Sequence, residues 1–240
     1  MSVIQFLHRH FRKTGYDVVL YTPDEHPLAR RKQILDLYGV TLVLDVGANA
    51  GQYGSQLREI GYRGRILSFE PLRAPFAQLT ARAQGDRHWA CFNHALGDAG
   101  GSRTINVAGN SYSSSMLKML PSHLEADPES VYVGTEAVEV KTLDAVFGSL
   151  AAEDDCILLK LDTQGFEKPV LDGAAQALRQ IDTVEMEISM EPLYEGSLLF
   201  PKMYGLMQDK GYRLVSIENE FRDRNSGRLL QVQATFHRFA

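Results

Sequence analysis

Cysteine is scarce. Cys91 and Cys156 are the only two in 240 residues, too few for a disulfide framework, and each sits in an apolar strand-like run that reads as a buried core position. No Cys-x-x-Cys or His-x-x-x-His spacing occurs, so nothing supports a structural zinc site. No apolar run approaches the roughly 20 residues needed to cross a bilayer. The first residues also lack a hydrophobic signal core followed by a cleavage site. A cytoplasmic protein with no membrane partner is expected. Positive charge is short too: 25 Lys and Arg against 30 Asp and Glu give a net charge of −5. Without a basic field the chain is a poor candidate for holding nucleic acid by its phosphates. The local run Arg30, Arg31 and Lys32 reads as a solvated helix face. At 44% hydrophobic and 23% charged residues, the rest is ordinary for a folded domain with a substantial core.

The stretch Leu42 to Gly54, LVLDVGANAGQYG, reads as a buried strand running into a glycine turn that opens a helix. Gly47 and Gly51 let the backbone turn sharply and approach a ligand. A dinucleotide fingerprint requires Gly-x-Gly-x-x-Gly, but Asn49 occupies the middle glycine position. Asp45, at the end of the strand, would repel a diphosphate and attract the ammonium and sulfonium of S-adenosylmethionine. Asp45, Gly47, Asn49 and Gly51 are thus candidate cofactor residues, and the loop favours a methyl donor over a nicotinamide dinucleotide.

The next strand, RILSFEP at 65 to 71, ends in Glu70. An acid about 20 residues past the glycine turn can accept hydrogen bonds from both hydroxyls of an adenosine ribose. Alone, Glu70 could equally be a solvated carboxylate; beside the glycine loop it reads as a cofactor residue.

Strands alternate with helical segments, as in a doubly wound parallel sheet. Strands are expected at Leu42–Val46, Ile66–Glu70, Trp89–His94, Cys156–Asp162, Val184–Ser189, Leu214–Glu218 and Leu230–His237, and helices at 52–60, 74–83, 166–179 and 199–210. Residues 1–40 read as a helical prelude packed on the core, with Leu28 to Tyr38 at helical spacing, and 41–240 as the main domain. About 60 residues separate the third and fourth strands, more than a crossover helix needs. An insertion at about 99–140 is inferred, with a strand at Ser102–Val107. Its tract Ser111-Tyr112-Ser113-Ser114-Ser115, in which Ser113, Ser114 and Ser115 are the candidate substrate-binding residues, is either a solvated loop or a substrate-gripping one.

Five motifs in order, LDVGANAGQYG, FEP, NHALGD, VKTLDAV and LLKLDTQGFEKPVLDGA, resemble the FkbM family of S-adenosylmethionine-dependent methyltransferases. The resemblance implies a Rossmann-like class I α/β fold, a seven-stranded mostly parallel doubly wound sheet with an antiparallel last strand. It also implies O-methylation of a sugar, glycoside or natural-product hydroxyl, and places Asn93, His94 and Ala95 near the adenine. Two departures stand out. The family often has Glu-Gly after the aspartate where this chain has Thr163-Gln164-Gly165, and the last strand lacks an aspartate between Gln231 and Phe236.

For catalysis, Asp162 is the first candidate base, because it ends the fourth strand beside the switch point where open α/β sheets bind ligands. Cofactor contact or capping of the following turn are its other roles. His94 ranks as a cofactor contact before a base. Lys160, inside an apolar strand, needs a partner, for which Asp162 is on the same face. Glu185 and Glu187 share one face of the fifth strand. Asp162 with Glu187 lacks a third ligand, so no metal is assigned. His237 reads as a surface residue. Rival readings are a nicotinamide-dependent oxidoreductase and a non-catalytic S-adenosylmethionine-binding protein, and the sequence leaves a homo-oligomer open.

Overall fold

A computed structural model describes residues 3–239. Helices α1 (Val3–Arg12) and α2 (Pro27–Leu37) precede strand β1 (Leu42–Val46). Then follow α3 (Gln52–Glu59), β2 (Arg65–Phe69), α4 (Arg73–Ala83) and β3 (Trp89–Phe92). The insertion comprises β4 (Ala95–Leu96), β5 (Gly101–Ala108), α5 (Pro121–Ala126) and β6 (Tyr132–Lys141). The chain closes with α6 (Leu143–Phe147), β7 (Ile157–Leu161), α7 (Glu167–Asp172), β8 (Ile181–Ser189), α8 (Phe200–Asp209), β9 (Arg213–Arg222) and β10 (Leu229–His237).

The main sheet has the order β3-β2-β1-β7-β8-β10-β9. β1, β2, β3, β7 and β8 pair in parallel, and β10 lies antiparallel to both β8 and β9. This is the Rossmann-like class I methyltransferase arrangement, with the expected antiparallel last strand. The order reverses between β1 and β7, so their carboxyl ends form the crevice where such sheets bind ligands. A second sheet, β4-β6-β5, occupies the insertion. No helix among the described residues is long and apolar enough to cross a membrane.

Strands buried on both faces need apolar residues on both. β1 sends Leu42, Leu44 and Val46 into one core with Val170, Leu171, Met203 and Met207, and Val43 into a second with Leu35, Leu57 and Leu79. On that second face the pattern turns polar one step further along: Ser68, Asp45, Lys160 and Glu185 stand side by side in register across β2, β1, β7 and β8. All four are buried.

That row overturns the reading of Arg30, Arg31 and Lys32 as one solvated face. α2 lies over it, and the Arg31 guanidinium, only 16% exposed, donates to the Glu185 carboxylate at 3.1 Å and lies 4.8 Å from the Tyr53 ring centre. Arg30 pairs with Glu218; only Lys32, with Asp36 at 2.6 Å, remains on the exposed side. The thiols also differ from expectation, since Cys91 is half-buried and Cys156 exposed. The first lies on an edge strand and the second just precedes β7. His237 is half-buried rather than free, stacked 3.6 Å from Tyr38.

The helix expected over 166–179 stops at Asp172. Gly173 packs on the main chain of Gly97, where an added Cβ would lie 1.9 Å from the carbonyl oxygen. Gly173→Ala is expected to destabilise the fold by about 1–3 kcal/mol, read as a lower urea midpoint with an unchanged slope.

Candidate cofactor and acceptor cleft

The loop after β1 is built from left-handed residues: Gly47 at φ 75°, Asn49 at φ 45° and Gly51 at φ 85°. Asparagine tolerates this region better than most side chains. Gly47 touches the end of β7 so closely that a Cβ would sit 1.8 Å from the Asp162 carbonyl oxygen. On the other side, the Gly47 and Ala48 N–H groups both donate to the Phe69 carbonyl, at 3.0 and 3.1 Å. The loop is thereby clamped between the carboxyl ends of β2 and β7.

Glu70 sits where β2 ends, 5% exposed. Its two oxygens accept the Asn49 and Leu72 N–H groups, each at 2.8 Å. Burial pushes its pKa up to about 7, while those two hydrogen bonds and the Lys160 charge pull the other way. Asn93, itself exposed, donates to the carbonyls of Glu70 and Pro71 at 2.9 and 3.0 Å, fixing the turn that presents Glu70. Ala95 lines the cleft. His94 does not: it is sealed beside the Phe69 and Phe92 rings, its Nδ1 is 3.2 Å from the Ala95 carbonyl oxygen, and burial lowers its pKa.

Asp45 lies beneath the loop rather than on the cleft wall. It is fully buried, accepts from the Ser68 hydroxyl at 3.0 Å and pairs with Lys160 Nζ at 3.2 Å. Lys160 also donates to the Gly47 carbonyl at 3.2 Å and stands 3.5 Å from Asp162. Burial works against its charge, but the carboxylates of Asp45 and Asp162 hold its pKa above the ordinary lysine value. The charge expected to meet a ligand is met instead by a lysine.

Asp162 reaches the cleft with 35% of its side chain exposed. Beyond it Gln164, at φ 52°, donates from Nε2 to Asp162 at 2.7 Å and to Glu187 at 2.6 Å. Glu167 ties the same turn, accepting from the Thr163 and Gly165 N–H groups at 3.0 and 3.1 Å. Burial raises its pKa to about 7.

The serine tract crosses above this floor as a strap. Asn49 Nδ2 is 3.4 Å from the Ser111 hydroxyl and Gln52 Nε2 is 3.3 Å from the Tyr112 hydroxyl, so the insertion meets the glycine loop directly. Ser113 and Ser115 point inward and are buried. Ser113 bonds Ser130 at 3.0 Å, and Ser115 donates to the Gln164 carbonyl at 2.7 Å. Of the three candidate serines Ser114 lines the cleft, together with Ser111 and Tyr112 of the same tract.

Between floor and strap lies a cleft lined by residues of both. Phe69, Leu72, Leu96, Met116 and Phe166 make its apolar walls. Among the described residues its charged lining is Glu70 and Asp162, with no Lys, Arg or His. Two carboxylates without a cation suit a ligand bearing sulfonium, ammonium and a ribose diol, and oppose a diphosphate. The residues present therefore fit S-adenosylmethionine.

Residues 45–214 match the family model of the methyltransferase FkbM domain. No curated protein matches the chain. Among solved structures, it is similar to an rRNA methylase from Streptococcus thermophilus, at 8% identity over 90% of this chain and 98% of that one, with a TM-score of 0.46. It is also similar to a precorrin-6y C5,15-methyltransferase from Geobacter metallireducens, at 12% identity over 88% and 87% of the two chains, with a TM-score of 0.47. The family match spans well over half the chain and takes in the loop, Glu70 and Asp162 alike; the chain belongs to the FkbM methyltransferase family, enzymes that use S-adenosylmethionine as methyl donor.

Proposed function

We propose that the protein O-methylates a hydroxyl of a small neutral acceptor, a sugar, glycoside or natural product, in the cytoplasm. The observation that carries this reading is the half-open Asp162 carboxylate, which shares one cleft with Gly47, Asn49 and Glu70. Bound S-adenosylmethionine supplies an electrophilic methyl on a good leaving group, so alignment is the main task left to the protein. Positioning of that kind is worth about 7–11 kcal/mol in favourable cases. Glu70 would hold the ribose hydroxyls. Asp162 would orient the acceptor hydroxyl and take its proton, or hold the donor's ammonium. We assign acceptor contact to Tyr112 and Ser114, with Ser113 and Ser115 keeping the strap in place. The acidic lining and the net charge of −5 favour a neutral acceptor over a nucleic acid.

Turnover on a library of glycosides and hydroxylated natural products tests the reading, with Asp162→Asn expected to lose about 10²-fold or more in turnover. A folded variant with unchanged turnover on a verified acceptor would remove Asp162 from the chemistry.

Donor binding should also depend on pH. Glu70, with its pKa at about 7, is mostly protonated at pH 6 and mostly ionised at pH 8, and only the carboxylate accepts from both ribose hydroxyls. The affinity for S-adenosylhomocysteine is expected to be about tenfold weaker at pH 6 than at pH 8. Calorimetry on Glu70→Gln should show no such slope.

A further inference from the structure

Gln164 is 8% exposed and engages both ends of its amide. Its two Nε2 hydrogens go to two different carboxylates, Asp162 and Glu187. Its Oε1 accepts from the Tyr194 hydroxyl at 2.7 Å. Tyr194 is 1% exposed, and its hydroxyl has one proton to give. Donation to Oε1 fixes which end of the amide is oxygen, and so turns both N–H groups toward the acids. The same hydroxyl lies 3.3 Å from the Ser113 carbonyl of the strap, and Ser115 donates to the Gln164 carbonyl. A second amide, Gln231, donates to the same Glu187 oxygen at 3.1 Å.

Two carboxylates held this close to one point repel each other, and in a half-buried setting they need a proton, a cation or a shared donor between them. Here the shared donor is an uncharged amide. We propose that Gln164 is a positioning residue of the methyl-transfer site, whose amide, turned by Tyr194, bridges Asp162 to Glu187 and fills the place between them that a cation would otherwise have to fill. This rests on the reading of Asp162 as the acceptor-side carboxylate. The bridge occupies Oδ1 of Asp162 and leaves Oδ2 toward Lys160 and the cleft. Through Ser115, which donates to the Gln164 carbonyl, the strap and the carboxylate are set by one hydrogen-bonded unit.

The test is thermal unfolding of the full chain with Gln164→Glu and Gln164→Leu, at pH 5 and pH 8, with and without magnesium chloride. Gln164→Glu puts a third acid between Asp162 and Glu187, where Glu167 and Glu220 add to the negative field and Lys160 opposes it. It should melt well below the parent at pH 8, and both lower pH and magnesium should recover the loss. Gln164→Leu removes the shared donor and leaves the two acids facing each other, so it should be destabilised at pH 8 and partly recovered by pH 5 or by magnesium, by less than Gln164→Glu with its extra charge. Magnesium stabilising the parent as much as Gln164→Glu would overturn the proposal, as would a Gln164→Glu variant that melts like the parent at pH 8. Should Gln164→Glu not fold, Asp162→Asn combined with it restores one amide and two acids to the trio and is expected to fold. Failure of that double variant would overturn the bridge. Calorimetry of the parent with S-adenosylhomocysteine runs alongside: no binding there would sink the donor reading and leave the bridge to be judged by the melts.

Discussion

Arg31→Met is expected to destabilise the protein by about 3–5 kcal/mol, the range for removing one partner of a buried ion pair. Glu185 is 3% exposed and also accepts from Gln233, an uncharged donor, at 3.1 Å. Without Arg31 its charge would be left without a cationic partner. The loss should reach the donor site as well, because the Tyr53 ring, in the first turn after the glycine loop, lies between Arg31 and Lys160, 4.8 and 5.3 Å from its centre. Urea unfolding at pH 8 measures the first effect and donor calorimetry the second. Adding Glu185→Gln to Arg31→Met should recover at least half of the lost stability, since the stranded charge is then gone. A single-variant loss below about 1 kcal/mol would show the pair to be no more than a surface contact. Arg31 lies outside the stretch matched by the family, 45–214, so this result would make α2 part of the working domain.

Gly47→Ala is expected to abolish measurable donor binding and to lower stability by about 3 kcal/mol or more, from a strained left-handed conformation together with overpacking. The neighbour is the main chain of Asp162, 1.8 Å from the added Cβ, and cannot swing aside as a side chain would. Relief requires the loop and the end of β7 to separate, and these are the two walls of the cleft floor. Gly61→Ala is the natural control, since its φ is also positive, 91°, but no atom lies within 4 Å of its added Cβ. If both variants bind the donor alike, the close approach at Gly47 does not shape the site.

Much of this was legible in the chain. The apolar run of β1, the glycines after it and Glu70 announce a nucleoside site, because each reports a local backbone requirement that nearby residues satisfy. The parts that were not legible depend on register between distant strands. Asp45 was expected to face a ligand, but side chains alternate along a strand, and Asp45 shares the face of Val43 beneath α2 and α3. Its partner Lys160 is 115 positions away and becomes adjacent only through the pairing of β1 with β7. An opposite-charge residue in each of two apolar strands was a usable signal, yet it pointed first to Asp162, two residues from Lys160, which proves to be the longer of the two contacts. Arg31 looked like one member of a basic run, and nothing local marks it as the residue that meets Glu185. The serine tract illustrates the same limit. Its composition suits a solvated loop, whereas buried bonds from Ser113 to Ser130 and from Ser115 to Gln164 hold it over the cleft.

The central claim is that Glu70, presented by Asn49 and Leu72, holds the ribose hydroxyls of a methyl donor in a cleft whose acidic lining opposes a diphosphate. Calorimetry of the parent and of Glu70→Ala at pH 8, with S-adenosylhomocysteine and with NAD, tests it most directly. The parent should bind S-adenosylhomocysteine and not NAD, and Glu70→Ala should weaken that binding by about 1.5–3 kcal/mol, the loss of hydrogen bonds to a charged group. Tight binding of NAD, or a Glu70→Ala variant that holds S-adenosylhomocysteine as firmly as the parent, would contradict it.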